Sequence, residues 1–364
     1  ELLRSNGHQV FLFVEDNKRI PKMGKAKLAL NTIWSWSAHE DLLTLLRREK
    51  PDLVHFHNTF PLISPSAYSA CRAMGVPVVQ SLHNYRLSCP AATFFRAGQP
   101  CEACLGKSFA FPGVQHKCYR NSALQTSVVA SMLTYHQWRD TWRKMVTVYI
   151  ALSEFSRAKL VQSGLPAPKI MVKPNFVESP LASHSSAGRG YVLFAGRLSN
   201  DKGVSTLLDA WSGLDDIPLK VAGDGPLRAD VETFNAVNKS FEFLGYRARQ
   251  DVLAYMRQAR FLVFPSEWYE VFPMTIVEAF ASSLPVIASR LGAMAELIRD
   301  GETGLLFAPG DPKDLADKVR WLWRHPEEAS RMGRAAREEY QKKYTPERNY
   351  QLLMQIYTQA LNAI

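Results

Sequence analysis

The chain has 364 residues, of which 46% are hydrophobic and 21% charged, enough for two ordinary domains with cores of their own. It contains no run of 18 apolar residues, so we predict no membrane-spanning helix. The formal charge of +10 is uneven: residues 1–180 have 22 Lys and Arg against 11 Asp and Glu, and residues 181–364 have 22 against 23. This basic half indicates either an ordinary solvated surface or attraction to an acidic membrane or phosphorylated acceptor. The basic half contains no recognisable nucleic-acid-binding motif, so we expect no nucleic-acid partner.

The chain opens with a pattern that resembles the end of a helix. Residues 2–7 read as the last turn of a helix with a glycine C-cap at Gly7, and residues 9–14 read as a strand. A doubly wound domain does not open with half a helix. We therefore expect a truncated chain that lacks the first strand of its N-terminal domain.

Strand and helix patterns alternate along the rest of the first half. A polar stretch over residues 183–190 is the candidate linker, and a last apolar-periodic helix follows Pro346. The candidate strands cover residues 52–57, 76–80, 149–152 and 172–177, and the candidate helices cover residues 42–48 and 68–74.

The second half alternates in the same way with short loops. Strand patterns at 191–195, 219–222 and 261–266 alternate with helix patterns at 204–211, 227–237 and 274–283. This βαβα order predicts an α/β fold with a parallel sheet covered on both faces. A ligand of such a sheet binds at the carboxyl ends of the strands.

The most informative motif is a pair of glutamates with seven residues between them, Glu270 and Glu278. Glu270 lies in the loop after a predicted buried strand, and Glu278 lies on the helix that follows. Between them, Val271, Phe272 and Pro273 lead into a helix N-terminus whose N–H groups suit an anion. A nucleotide-sugar, with an anionic diphosphate and hydroxyls, fits this arrangement.

Three further motifs accompany the glutamate pair in the same half. Arg197 and Lys202 stand five residues apart in a loop after a predicted strand, which suits a diphosphate that gains charge as it leaves. Gly223 and Gly225 form a Gly-x-Gly turn after the next strand, and Tyr246 follows the segment Phe-Leu-Gly. Exposed surface cations and ordinary turns are the alternatives for each motif alone.

In this order and spacing the motifs resemble those of glycosyltransferase family 4, retaining enzymes with the GT-B fold. The resemblance implies two doubly wound, Rossmann-like domains that face a cleft. It implies an acceptor-side domain over residues 1–180, a nucleotide-sugar donor domain over residues 181–344, and a C-terminal helix at 345–364 that crosses back to the first domain. The cysteine-containing segment of this chain is similar to that of a bacterial subgroup.

The resemblance also implies roles for individual residues. Arg197 and Lys202 would hold the diphosphate, and Gly223, Gly225 and residues 271–273 would line the donor site. Glu278 would accept hydrogen bonds from the ribose hydroxyls. Tyr246 would lie in the segment that holds the base. Glu270 would lie near the transferred sugar, and His83 would face that sugar from the first domain; these two are the expected catalytic residues.

Other residues of the first half are weaker candidates for the cleft. His55 and His57 alternate along a predicted strand, which puts them on one face, with His57 and Asn58 nearest its carboxyl end. Arg157 follows another predicted strand and would contact phosphate. A structural histidine is the commoner interpretation of a histidine in a strand.

Four cysteines lie within residues 88–119: Cys89, Cys101, Cys104 and Cys118. Their number and the Cys-x-x-Cys pair are typical of a structural zinc site, in which His116 could replace one of them. Structural or redox thiols without metal are the alternative, and disulfides are disfavoured in the cytosol. The chemical step itself is expected to need no cofactor.

The resemblance to family 4 implies transfer of a hexose from UDP- or GDP-sugar to a hydroxyl of a sugar or lipid-linked acceptor, in polysaccharide or glycolipid assembly. The expected location is the cytoplasm, at the inner face of the membrane. The alternatives are a nucleotide-sugar epimerase of the same fold and an inactive fragment with a zinc-binding segment.

Overall fold

The structure is a computed structural model that describes residues 1–178 and 190–363. The predicted linker at 183–190 therefore lies outside the described residues, apart from Gly190. The chain forms two compact units. The N-terminal unit contains residues 1–94, 101–173 and 350–364, and the C-terminal unit contains residues 95–100 and 174–349.

A parallel sheet with strand order β1-β2-β5-β6 forms the centre of the N-terminal unit. Its predicted strands are confirmed, except that the last begins and ends earlier than we expected. The strands up to this point of the chain are β1 (Val54–Phe56), β2 (Val78–Ser81), β3 (Phe95–Arg96), β4 (Gln99–Pro100), β5 (Val148–Ala151) and β6 (Ile170–Val172). Strands β3 and β4 form a small antiparallel hairpin that groups with the C-terminal unit.

Helices cover the sheet of the N-terminal unit. Buried side chains such as Leu42, Leu46, Tyr68 and Tyr149 form its core. The helices are α1 (Leu2–Ser5), α2 (Lys25–Ile33), α3 (Trp36–Glu49), α4 (Ser66–Ala73), α5 (Phe111–Gln115), α6 (Ala123–Trp138), α7 (Thr141–Lys144) and α8 (Glu154–Gln162).

The predicted strand at residues 9–14 is wrong. Helix α1 ends as expected before Gly7, whose φ is +82°, but the chain that follows forms no strand. Phe11, Leu12 and Val14 are 44%, 69% and 77% exposed. No strand among the described residues pairs with this segment, and an unpaired strand has no ladder of hydrogen bonds to hold it.

The C-terminal unit has a six-stranded parallel sheet with strand order β12-β11-β10-β7-β8-β9. Helix α9 covers the predicted residues, and the other predicted elements agree within a few residues. The strands are β7 (Val192–Ala195), β8 (Leu219–Ala222), β9 (Phe241–Gly245), β10 (Phe261–Phe264), β11 (Val286–Ser289) and β12 (Gly304–Phe307). The helices are α9 (Val204–Trp211), α10 (Arg228–Val237), α11 (Arg249–Gln258), α12 (Met274–Ala281), α13 (Gly292–Leu297), α14 (Pro312–Arg324) and α15 (Pro326–Lys343).

The strand order of this sheet reverses between β7 and β10. From β7 the chain adds β8 and β9 on one side, then returns to pair β10 with the other edge of β7, in the register Phe261 opposite Val192. In open parallel sheets a reversal of this kind opens a crevice beyond the carboxyl ends of the two strands. The loops that follow β7 and β10 therefore meet there.

The last helix, α16 (Pro346–Leu361), begins close to where the sequence predicts it, and its residues from Tyr350 onward belong to the N-terminal unit. None of the helices in the described residues combines the length and the apolar character needed to span a bilayer.

Candidate functional site

A cavity of about 310 Å³ lies at the reversal of strand order in the C-terminal unit. Its wall comes from the ends of β7 and β10, the loops that follow them and the start of α12. The predicted site residues in this wall are Arg197, Lys202, Glu270, Phe272 and Pro273. Lys202 and Glu270, which are 68 positions apart in the sequence, are thus brought together by the pairing of two strands.

Glu270 is the most constrained charged group of this cavity. It is only 6% exposed, and its Oε1 accepts hydrogen bonds from Lys202 Nζ at 2.6 Å, Ser266 Oγ at 2.8 Å and Trp268 Nε1 at 2.8 Å. A buried carboxylate needs such donors because burial of an unpaired charge is costly. The ion pair therefore fixes both side chains in the wall of the cavity.

Arg197 is held differently. Its guanidinium binds Asp201, with Nη2 at 3.1 and 2.9 Å from the two carboxylate oxygens, and its Nε donates to Ser199 Oγ at 3.2 Å. The Arg197 side chain is 62% exposed, whereas that of Lys202 is 21% exposed. An exposed ion pair contributes little to stability, so Arg197 can exchange Asp201 for another anion at small cost.

Glycines allow the loops around the cavity to approach each other closely. A Cβ on Gly223 would lie 2.0 Å from Gly196 O, and a Cβ on Gly203 would lie 1.9 Å from Pro265 O. Gly203 also has a φ of +68°, which L side chains rarely adopt. Gly225 packs against the backbone of Leu198 in the same way. These glycines are needed for backbone packing whether or not a ligand binds.

The N-terminus of α12 faces the cavity, with Pro273 as its N-cap residue. The first turn of a helix leaves backbone N–H groups without intrahelical partners, which favours an anion. Val271 and Phe272 are buried at 6% and 8% exposure, and the Phe272 ring lies 5.9 Å from that of Tyr344. Packing of these apolar residues anchors the entry into the helix.

Neither Glu278 nor Tyr246 is among the described residues that line the cavity. Glu278 has a 13% exposed side chain, and its Oε1 accepts a hydrogen bond from Arg249 Nε at 2.7 Å. Tyr246 follows β9 and is 72% exposed. Our sequence interpretation missed Arg249, because its pairing depends on the packing of α11 beside α12.

The N-terminal unit contains a row of three histidines at the carboxyl ends of β1 and β2. The rings of His55 and His57 stack with centroids 4.5 Å apart, which confirms that they share one face, and His57 stacks on His83 at 5.2 Å. His57 Nδ1 lies 2.8 Å from His83 Nε2 in a hydrogen bond. Two predicted residues that are 26 positions apart are therefore in direct contact.

His55 lies at the buried end of this row. Its Nδ1 is 2.7 Å from the Tyr357 hydroxyl on α16, and its Nε2 is 2.8 Å from Ser81 Oγ. Because both ring nitrogens have hydrogen-bond partners, hydrogen bonds on both sides set the orientation of this ring. The sequence analysis did not select Ser81 or Tyr357; the period of α16 alone could not show which strand this helix contacts.

The histidine row is held in its neutral form. Burial, with smaller effects of His57, Lys173 and His83, lowers the pKa of His55 to about 3. Burial, then the charges of His57 and Lys173, lowers the pKa of His83 to about 4, although part of its side chain is exposed. Burial and Lys173 lower the pKa of His57 as well. Burial also lowers the pKa of Lys173 to about 8.

The two remaining cleft candidates make local contacts. Asn58 Oδ1 accepts the backbone N–H of Phe60 at 3.2 Å, a turn contact. Arg157 Nε donates to Ile170 O at 3.2 Å, and its Nη1 is 3.6 Å from Glu154 Oε2. These contacts explain the residue types without a ligand.

Two of the predicted cysteines, Cys104 and Cys118, contact Gly113 of α5. A Cβ on Gly113 would lie 3.4 Å from Cys104 Sγ and 3.1 Å from the ring of Pro90, which follows Cys89, and the N–H of Cys118 donates to Gly113 O at 3.0 Å. Burial, together with the charges of the three other cysteines, raises the pKa of Cys104 to about 11, although a hydrogen bond from the Gly113 backbone opposes the shift.

All five cysteines, including Cys71 on α4, are described and form no disulfide. Within residues 1–178 and 190–363, no three His, Cys, Asp or Glu side chains are arranged to hold a metal ion. The zinc site therefore stays a prediction, and coordination would require the sulfur atoms to move closer together.

Comparison with known sequences finds two family models that match successive parts of the chain. Residues 1–179 match the family model described as Glycosyltransferase Family 4, and residues 181–339 match the model described as Glycosyl transferases group 1. A D-rhamnosyltransferase, WbpZ of Pseudomonas aeruginosa, is 35% identical over 162 residues, which are 43% of this chain and 42% of that protein. A phosphatidyl-myo-inositol mannosyltransferase of Mycobacterium leprae is 33% identical over 196 residues, 50% of this chain and 52% of that protein.

The alignments with these two relatives span about half of each relative's length. The crystal structure of Anabaena HepE in complex with UDP has a TM-score of 0.64 at 18% identity and covers 88% of this chain and 81% of HepE. This likeness agrees with the two parallel-sheet units and shows the GT-B fold. The chain thus belongs to the glycosyltransferases, with a family 4 domain in its first half and a group 1 domain in its second.

Proposed function

We propose that this protein transfers a sugar from a nucleotide-sugar to a hydroxyl group of an acceptor, with retention of the anomeric configuration. The observation that carries the proposal is the cavity at the reversal of strand order, where Lys202, Glu270 and the N-terminus of α12 meet. The cavity offers a fixed cation, the N–H groups of a helix start and a buried carboxylate within one wall. A diphosphate joined to a sugar has charges and hydroxyls that match these groups.

In this proposal the diphosphate binds at Lys202, Arg197 and the first turn of α12. Lys202 is already oriented by Glu270 at 2.6 Å, and Arg197 exchanges Asp201 for phosphate oxygen. Cations and N–H groups placed before the reaction stabilise the charge that develops on the leaving diphosphate. HepE, which shares the fold, was crystallised in complex with UDP, and this supports a uridine or related nucleotide donor here.

Glu278 is proposed to accept hydrogen bonds from the ribose hydroxyls. Its carboxylate is held by Arg249 Nε at 2.7 Å, which leaves acceptor capacity on the second oxygen. Gly223, Gly225 and Tyr246 would complete the donor site after β8 and β9. Arg249 would then position Glu278 rather than contact the nucleotide.

The proposed chemistry needs no metal or organic cofactor. The acceptor hydroxyl attacks the anomeric carbon on the face from which the diphosphate leaves, and an oxygen of that diphosphate takes the acceptor proton. Glu270 lies near the transferred sugar, and His83 contacts the sugar through its neutral imidazole. A hydroxyl of a polysaccharide precursor or glycolipid is the acceptor in this proposal. Retention is tested by the anomeric configuration of the product in NMR spectra.

The donor assignment is tested by calorimetric titration of the full chain with UDP, GDP and ADP. We expect one of them to bind, and Glu278→Ala to weaken that binding by about 1.5–3 kcal/mol, the range for a hydrogen bond to a charged group. Glu328→Ala is the matched control, because Glu328 is also a helical glutamate paired with arginine, at 2.7 Å from Arg331. Binding of no nucleotide would refute the function, and equal affinity of Glu278→Ala would refute the ribose contact. Epimerisation of the donor without acceptor would favour the isomerase alternative.

We further propose that Cys89, Cys101, Cys104 and Cys118 hold a structural zinc ion. The contacts of Cys104 and Cys118 with Gly113 support this proposal. Protein produced with zinc should contain about one zinc ion per chain and should lose stability when the metal is chelated. Gly113→Val would crowd Cys104 and should lower the zinc content, while Cys71→Ser should not. Zinc well below stoichiometric amounts in the folded protein would contradict the proposal.

A further inference from the structure

A surface of exposed tryptophans and basic residues lies on the N-terminal unit, outside every site described above. Trp36 at the start of α3 is 70% exposed, and Trp138 at the end of α6 is 79% exposed. A large indole ring that is mostly in contact with water is unusual for a side chain of this kind. Leu30 on α2, 68% exposed, lies one helical turn before Trp34.

A chain of ring contacts connects the two exposed tryptophans. Trp36 lies 5.6 Å from Trp34, Trp34 stacks on His136 at 6.4 Å, and Tyr135 lies 6.4 Å from Trp138. His136 is fully buried, and its Nε2 is 2.8 Å from Ile33 O. The exposed rings are therefore in contact with a layer of packed rings that joins the ends of α2 and α6.

Basic side chains follow Trp138 in the chain. The guanidinium of Arg139 lies 5.9 Å from the Tyr135 ring centroid, and the side chains of Arg143 and Lys144 are 64% and 62% exposed. Asp140 pairs with Lys144 at 3.1 Å and with Arg143 at 4.0 Å, so it offsets only part of this charge. We call Leu30, Trp36, Trp138, Arg139, Arg143 and Lys144 the aromatic–basic surface.

A cavity of about 240 Å³ adjoins this surface. Its wall includes Arg143, Asp140 and Gln137 from the surface side and Lys107 and Ser108 from the cysteine segment. Cationic and neutral polar groups predominate among these residues. A recess of this kind can receive a phosphate-bearing headgroup while the rings beside it contact acyl chains.

We propose that the aromatic–basic surface docks the protein on a membrane that contains anionic phospholipid. Trp and Tyr prefer the boundary between headgroups and acyl chains, and Lys and Arg extend past them to lipid phosphates. An anionic bilayer also matches the long-range field of this half of the chain, because residues 1–180 carry all of the excess positive charge. This proposal adds a location to the proposed sugar transfer and does not depend on the donor site.

The test is cosedimentation of the full chain with vesicles of phosphatidylcholine, alone or mixed with phosphatidylglycerol. We expect binding to the mixed vesicles that weakens as salt is raised. The double variant Trp36→Ala, Trp138→Ala should bind at least about tenfold more weakly, because less apolar area enters the interface. The variant Arg143→Gln, Lys144→Gln should lose roughly fivefold per charge.

Trp321→Ala is the matched control, because Trp321 is a 42% exposed tryptophan on α14 of the C-terminal unit. It should bind vesicles like the wild type. All variants should keep the wild-type unfolding temperature and nucleotide affinity, which separates failure of this proposal from failure of the donor site. The proposal would be overturned if the double tryptophan variant bound vesicles as well as the wild type, or if the wild type bound neutral and mixed vesicles equally. Absence of any vesicle binding would also overturn it. In that last case, loss of self-association in the double variant would assign the surface to a protein contact.

Discussion

The two parallel sheets of this chain differ in strand order, and this difference determines which kind of site lies at the carboxyl ends of their strands. In the C-terminal unit the strand order reverses between β7 and β10, and the loops that follow line a cavity that contains the Lys202–Glu270 pair. In the described part of the N-terminal unit the strands follow chain order, and the ends of β1 and β2 carry a row of stacked neutral histidines. A reversal of strand order opens a crevice between two loops. Where strands that follow each other in the sequence are also neighbours in the sheet, the side chains at their ends lie next to each other.

The cavity of the C-terminal unit and the histidine row of the N-terminal unit also differ in charge. The buried carboxylate of Glu270 accepts hydrogen bonds from three donors, one of which is the ammonium group of Lys202. The histidines, which lie beside Lys173 and one another, have lowered pKa values and stay neutral. The cavity of the C-terminal unit therefore suits an anion, whereas the histidine row offers hydrogen bonds from uncharged groups.

The largest effect is expected from removal of the cation in the cavity. Lys202→Ala should lower kcat/KM for sugar transfer by roughly 10²–10³-fold, the range for loss of one group that stabilises developing charge. It also leaves Glu270 buried with two donors instead of three. Lys313→Ala, at an exposed lysine of α14 in the same unit, is the control and should keep full activity. If Lys202→Ala were as active as wild type, the Lys202–Glu270 pair would have no role in stabilising the leaving diphosphate.

A smaller effect should come from the backbone packing that shapes the cavity. Gly223→Ala places a Cβ 2.0 Å from Gly196 O, so a loop must shift, and we expect a loss of about 1–3 kcal/mol in the free energy of unfolding. Gly213→Ala is the control, because the nearest atom to its Cβ is the Arg320 side chain at 3.6 Å. Chemical denaturation measures both variants. Equal stability of Gly223→Ala and wild type would show that the loops are not closely packed there.

The histidine row should make stability depend on pH. His55 has a pKa of about 3 in the folded protein against an ordinary 6.5, so the unfolded chain takes up its proton first as pH falls. The contribution of neutral His55 to the free energy of unfolding is therefore fully present above about pH 6.5. Below that pH it decreases, by at most about 1.4 kcal/mol per pH unit for one histidine. His83 adds less because it is partly exposed.

His55→Gln tests this assignment, because glutamine can still bond Ser81 or Tyr357 but does not titrate between about pH 4 and 7. Denaturation curves across this range should show a shallower dependence on pH for the variant. The same slope in both proteins would mean that the row is not the source of the acid sensitivity.

Much of the C-terminal unit could be predicted from the sequence because its signals are local. Alternation of apolar strands and amphipathic helices predicted the order of elements, and helix α9 has the predicted bounds Val204–Trp211. The strand at 9–14 failed for the opposite reason. Its apolar residues fit a strand, but a strand exists only where a partner offers hydrogen bonds, and composition does not supply that partner.

The sequence by itself determined the order of the elements and the residue types of the candidate site, because period, turn chemistry and motif spacing act over a few residues. Only the tertiary structure decided which groups meet. Trp268 and Ser266 join Lys202 on Glu270, Arg249 holds Glu278, and Tyr357 reaches His55 across 302 positions. Such contacts depend on strand order and on which face of a helix packs inward, and these are settled by the burial of the whole core rather than by any short segment.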